Sequence, residues 1–181
     1  MSIFGRKTER SDVLTKRPDP IGGVSIPTIR NIEESAVIND EFQAVLTAGP
    51  LEYEVKWGHP NHRIWSFDDT EDSVYGPQLH QVEEMVFWGA QQDDLLVHCH
   101  AGMSPSTATA WGVCIAKGLD PRASLEALYN SHPSDGFGDR KRLFAPNPLL
   151  VNHLQVVFND PTLMATLLDV LKDDNRASFW Y

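Results

Sequence analysis

A chain of 181 residues with 41% hydrophobic content is long enough for one domain with a sizeable core. Its 25 acidic against 15 basic residues leave a formal net charge of -10, which argues against broad nucleic-acid binding and against anionic membrane surfaces. Two cysteines, Cys99 and Cys114, make no disulfide framework, no stretch approaches membrane-spanning length, and Met1 to Lys7 carries no leader-like apolar run, so a cytoplasmic, reducing location is expected.

Residues 1–20 are charged and end in Pro18-Asp19-Pro20, which predicts an extended arm ahead of one domain over residues 21–174. Gly22 to Ile26 is expected as a first short strand. Thr28 is expected to cap a helix carrying Ile29, Ile32, Ala36 and Val37. Phe42 to Thr47 reads as a strand stopped by Gly49-Pro50, and Tyr53 with Val55 suggests a short edge strand. Arg63 to Phe67 reads as the next strand, ending in the acidic loop Asp68 to Asp72. Pro77 opens a helix with Leu79, Val82, Met85 and Val86 on one face.

Leu95-Leu96-Val97-His98 then reads as a buried strand, Cys99 to Met103 as a tight loop, and Ser104 to Lys117 as a helix closed by Gly118. Asp120-Pro121 starts a helix with Leu125 and Leu128 inside. Ser131 to Arg142 is a polar loop. Asn147-Pro148 starts a helix with Leu150, Leu154 and Val157 inward, and Asp160-Pro161 the last, with Met164, Leu167, Leu168 and Leu171. Residues 175–181 form an aromatic tail ending Phe179-Trp180-Tyr181. Strands alternating with helices predict an α/β fold with a small, mostly parallel central sheet flanked by helices. Functional loops of such sheets collect at the carboxyl ends of the strands, where both Asp68-Asp69 and Cys99 fall.

A cysteine between a buried strand and a helix start lies where backbone amides and the positive helix end stabilise negative charge, either on sulfur or on a bound anion. His98-Cys99-His100-Ala101-Gly102-Met103-Ser104-Pro105-Ser106 resembles the signature loop of cysteine-dependent phosphatases of the dual-specificity type, including bacterial and phage phosphatase-like sequences. That signature is His-Cys, five residues, Arg, then Ser or Thr. The resemblance spans roughly Phe42 to Phe158 and implies the family's small-sheet architecture and no cofactor.

It further implies that Cys99 is a nucleophile that becomes a phosphocysteine. His100, Ala101, Gly102, Met103, Ser104 and Pro105 form the phosphate-binding loop, and Ser106 stabilises the departing thiolate. His98 supports the loop. Asp69 or Asp68, roughly thirty residues upstream, protonates the leaving oxygen. The alternative for the two aspartates is a solvated acidic turn.

The signature arginine is absent: Pro105 stands in its place. Phosphoryl transfer spreads charge over three equatorial oxygens that a guanidinium fork matches, and proline supplies neither charge nor donor. Proline does fit the first turn of a helix, so the loop is expected to persist while its chemistry is impaired. Arg140 or Arg142, in a loop ahead of Pro146-Asn147, is a candidate compensating cation, the alternative being a solvated basic turn.

Three functions follow. One is a pseudophosphatase that binds a phosphorylated protein or small phosphoester. Another is an active phosphatase with a displaced cation, and the third is an interaction or assembly protein using the fold as scaffold. A protein partner would meet the arm or the aromatic tail, and the compartment would be host cytoplasm if the source is viral. No zinc-type spacing accompanies His98-Cys99-His100, so no metal is expected. His153 and Cys114 read as core residues.

Overall fold

The structure is a computed structural model that describes residues 14–50, 58–132 and 143–172. Four parallel strands run β1 Thr28–Arg30, β2 Ala44–Ala48, β3 His62–Trp65 and β4 Leu95–His98, arranged in the order β1-β4-β2-β3. The helices are α1 Ile32–Ile38, α2 Leu79–Ala90, α3 Pro105–Ala116, α4 Pro121–Ser131, α5 Pro148–Val157 and α6 Leu163–Leu171. The expected α/β architecture is present, with every strand pair among the described residues parallel.

The two central strands are buried along their whole length and are mostly apolar, their polar members Thr47 and His98 being buried as well. Side chains alternate across the pleat. Ile29, Ala44, Leu46, Ala48, Leu95 and Val97 face a large core with α2, α3 and α5. Val45 and Leu96 face a smaller cluster with Ile38 and Phe42. The large core centres on α3, whose residues from Pro105 to Cys114 are all buried. Trp111 on this helix donates its indole N–H to the Pro121 carbonyl at 2.8 Å.

The N-terminal part of the domain differs from expectation. Gly22 and Gly23 both adopt left-handed backbone and form a two-residue turn between Ile21 and Val24, rather than a strand. The first strand is Thr28–Arg30, where a helix start was expected. Its β-branched Thr28 and Ile29 alternate between the sheet faces beside β4. Helix α1 starts three residues later, at a capping box in which Asn31 accepts from the Glu34 amide and Glu34 from the Asn31 amide. Val37, expected inside, is 72% exposed, and Ile38 takes the buried position.

The described end of the expected arm is docked rather than extended. Arg17 pairs with Asp94 at 2.8 Å and stacks over Phe42, and Leu14 packs on the smaller cluster. The last helix begins later than expected, because Asp160 accepts from the amide and hydroxyl of Thr162 and so holds Pro161-Thr162 as a turn. Leu163 is buried in place of Leu168. Leu79, expected inside α2, is also largely exposed. The suggested edge strand at Tyr53 and Val55, the loop with Arg140 and Arg142, and the aromatic tail lie outside the described residues.

Helices α2, α3 and α5 cross at Gly112. A Cβ there would lie 2.6 Å from Leu154 Cδ2 and 2.7 Å from Val86 Cγ1. Gly112→Ala gains about 1 kcal/mol of helix propensity and loses about 1–3 kcal/mol to overpacking. A net loss of about 1 kcal/mol is expected, read as a lower urea midpoint by tryptophan fluorescence. A raised midpoint would show that the three helices can separate at this point.

Candidate active site

The carboxyl ends of all four strands converge on one edge of the sheet. Strand β4 delivers Cys99, which is 5% exposed, and the chain then turns through Gly102 into α3. Gly102 has φ +71°, and a Cβ there would sit 2.8 Å from the backbone of Arg30 and Asn31, so only glycine lets the loop lie against the end of β1. The Ile32 amide donates to the His100 carbonyl at 3.1 Å and ties the loop to the start of α1.

Within the loop, the Gly102 amide donates to Cys99 Sγ at 3.2 Å, and the Ser106 hydroxyl lies 3.1 Å from the same sulfur. The Gly102 amide is thus aimed at the sulfur, and Cys99 and Ser106 share a hydrogen bond in which either atom can donate. Ser106 is fully buried, His100 is exposed, and Ala101, Met103 and Ser104 are half-buried at the rim. Pro105 occupies the first position of α3 and is buried, where it breaks no helical hydrogen bond. A small cleft of about 10 Å³ beside the thiol, lined by Ile32, Gly49, Pro50, His98 and His100 among others, is the size of one water.

The two candidate acids separate. Asp69 reaches the loop: its Oδ1 accepts from the Ser104 hydroxyl and from Asn147 Nδ2, each at 2.8 Å. Ser104 stands at the helix N-cap position, but its hydroxyl serves Asp69 instead of the helix. Asp68 has an exposed side chain and shapes the acidic loop through its backbone, donating its amide to the Tyr75 carbonyl.

Asn147, read from the sequence only as a helix cap, does cap α5 by accepting from the Leu150 amide at 2.9 Å. Its amide nitrogen simultaneously fixes Asp69, and the stretch before it is bonded to the loop through Ala145 and Met103. Spacing could not show this, since Asp69 and Asn147 are 78 residues apart.

His98 is fully buried, and its Nε2 lies 2.7 Å from Thr47 Oγ1, which also lies 2.7 Å from His62 Nε2. Thr47 and His62 were not singled out by the sequence. Burial pushes His98 down from the ordinary 6.5 to about 3, against an opposing effect of the Cys99 backbone, so its ring is neutral near pH 7. His153, expected in the core, is half-buried and donates to the Pro77 carbonyl at 2.9 Å, which anchors the start of α2. Burial also raises Cys114 to about 12. Arg30, whose backbone Gly102 touches, sends its guanidinium to the carbonyls of Leu14, Lys16 and Ile29. Among the described residues no group of three or more His, Cys, Asp or Glu could hold a metal ion, and no helix is long and apolar enough to cross a membrane.

No protein-family model and no curated protein sequence matches the chain. Solved structures do. The chain matches DUSP15 with a TM-score of 0.56, over 88% of this chain and 97% of that one, at 16% identity. It matches Tk-PTP in its active form with a TM-score of 0.51, over 81% and 95%, at 15% identity. The phosphatase domain of Yvh1 from Chaetomium thermophilum gives 0.51, over 78% and 95%, at 17% identity. The fold is therefore that of the dual-specificity and protein tyrosine phosphatases. At such identities the likeness speaks for fold, and the chemistry rests on the side chains.

The buried neutral His98 makes stability pH-dependent. The unfolded chain takes up a proton at this ring below pH 6.5, whereas the folded chain does so only near pH 3. Its contribution is present in full above 6.5 and lost as pH falls toward 3, at up to about 1.4 kcal/mol per pH unit. The urea midpoint is expected to drop across this window, and His98→Asn to flatten the drop. An equal slope in that variant would place the effect elsewhere.

Proposed function

We propose that this chain is a phosphatase-fold oxyanion-binding protein that has lost most or all turnover. Its ligand is a phosphorylated protein or a small phosphoester held at the Cys99 loop. The observation that carries this reading is Pro105, buried at the first position of α3, where the resemblance places the phosphate-clamping arginine. The loop lacks the bidentate cation that matches the equatorial oxygens, and it lacks one backbone N–H as well.

What remains is suited to holding an anion. The start of α3, the loop amides and the Ser106 hydroxyl supply donors and partial positive charge. The acidic balance of the chain opposes a phosphate, which makes the expected affinity weak. Loss of a positioned cationic group costs about a thousandfold or more in phosphoryl transfer.

One observation favours a second reading, an active phosphatase with a displaced cation. Asp69 is held against the loop and Ser106 against Cys99, the groups that an acid-assisted departure and a leaving thiolate require. Hydrolysis of a small aryl phosphate separates the two. The native chain is expected at about a thousandth or less of the rate of Pro105→Arg, and Cys99→Ser in that background is expected to abolish the gain. Full Cys99-dependent turnover by the native chain would remove the first reading.

A further inference from the structure

The segment from Leu14 to Arg17 is clamped to the domain from both directions. Leu14 packs on the smaller apolar cluster with Ile38 and Phe42. Arg17 reaches inward: Nε and Nη2 donate to the two carboxylate oxygens of Asp94 at 3.0 and 2.8 Å, and the guanidinium lies 3.9 Å from the centre of the Phe42 ring. It also donates to the Glu41 carbonyl. Arg30 reaches outward from β1: Nε donates to the Leu14 carbonyl at 2.9 Å and Nη2 to the Lys16 carbonyl at 3.2 Å. An arginine of the segment holds the domain, and an arginine of the domain holds the segment.

Arg30 is 5% exposed, and a guanidinium at that depth must keep its donors occupied. The carbonyls of Leu14 and Lys16 are therefore part of what fixes it. Strand β1 is three residues long and lies at the edge of the sheet, so the ladder restrains its end less than that of a central strand. That same end carries the site. A Cβ on Gly102 would sit 2.8 Å from the Arg30 carbonyl and from the Asn31 nitrogen, and the Ile32 amide donates to the His100 carbonyl at 3.1 Å. With no slack between them, a shift of the Arg30-Asn31 peptide moves the Gly102 amide that is aimed at Cys99 Sγ.

We infer that residues 14–17 are a strap, latched by Arg17 on Asp94 and Phe42, whose docking acts through the positioning residue Arg30 to set the order of the Cys99 loop and hence how tightly it holds an anion. The inference rests on reading that loop as an oxyanion cradle. Linkage makes the effect reciprocal: an anion in the loop tightens the strap, and anything that draws Leu14 and Arg17 off their seat loosens the loop. The latch is suited to opening. The Arg17 and Asp94 side chains are 37% and 28% exposed, and an ion pair so placed contributes little and weakens with salt.

Arg17→Glu in the full chain opens the latch by setting two carboxylates against each other, and it touches neither the large core nor the loop. Hydrogen exchange is followed by NMR at Arg30 Nε–H, which reports the strap, and at the Ile32 and Gly102 amides, which report the loop. Each is referred to the Leu46 amide in the central strand β2, so that a change in global stability cancels. Sulfate affinity is measured alongside at constant ionic strength. All three protons are expected to exchange about fivefold faster in the variant, and sulfate to bind about fivefold more weakly. In the native chain, saturating sulfate is expected to slow exchange at Arg30 Nε–H. Arg122→Glu makes the same change of charge at an exposed pair with Asp169 on the helical side, and is expected to leave exchange and affinity as they were.

An Arg30 Nε–H as protected in Arg17→Glu as in the native chain would overturn the latch. An exposed Nε–H beside unchanged Ile32 and Gly102 amides would sever the strap from the loop and end the inference. An equal loss of sulfate affinity in Arg122→Glu would make the effect one of net charge and overturn it as well. Sulfate that binds at no concentration, while the loop amides still follow the strap, would refute the cradle reading instead and leave only the mechanical coupling.

Discussion

The contact between Gly102 and the backbone at the end of β1 is the constraint on which the site depends. A loop can wrap a thiol with inward-pointing amides only if its midpoint is pulled back against something rigid. Here that support is the Arg30-Asn31 peptide, at a distance that excludes any side chain. The Ile32 amide then seals the loop to α1. Order in β1 and α1 is thereby made part of the site, although neither contributes a reacting group. The buried guanidinium of Arg30, spread over three carbonyls, carries the same order outward to the segment at Leu14 and Lys16.

A second support comes from the far side of the chain. Asn147 acts at once as the cap of α5 and as a donor to Asp69, and Ser104 spends its hydroxyl on Asp69 rather than on α3. Three segments distant in sequence thus share one carboxylate oxygen. The arrangement keeps the acid loop and the cysteine loop in fixed relation whether or not catalysis follows. Such retained geometry is compatible with a binding role, because placing a ligand demands the same rigidity as placing a reactant. Proline at the first turn of α3 contributes to that rigidity.

Much of the fold was legible because local chemistry and tertiary fate agreed. Ala44–Ala48 and Leu95–His98 carry apolar residues on both faces and are buried on both, with Thr47 and His98 as their only polar members. Helices α3, α4 and α5 each begin with a polar residue followed by proline, and each starts there. Strand β1 was missed because three residues are too few to show a period, and Thr28 has equal credentials as a cap. The Cys99 loop could be read from its motif, whereas Asn147, Thr47 and His62 could not. Their roles arise from hydrogen bonds that join Asn147 to Asp69 across 78 residues and Thr47 to His98 across 51, distances at which sequence carries no register.

The depth at which α3 lies separates the two sulfurs of the chain chemically. Cys114 is enclosed in the core, and its thiol, raised to about 12, resists ionisation at any ordinary pH. Cys99 lies ahead of the start of the same helix, beside the Gly102 amide and the Ser106 hydroxyl. Both sulfurs are buried in the folded chain, and burial holds the Cys114 thiol protonated, so modification of Cys114 by a mild electrophile requires α3 to leave its packing. Labelling at Cys114 therefore marks the opening of the core that carries the loop.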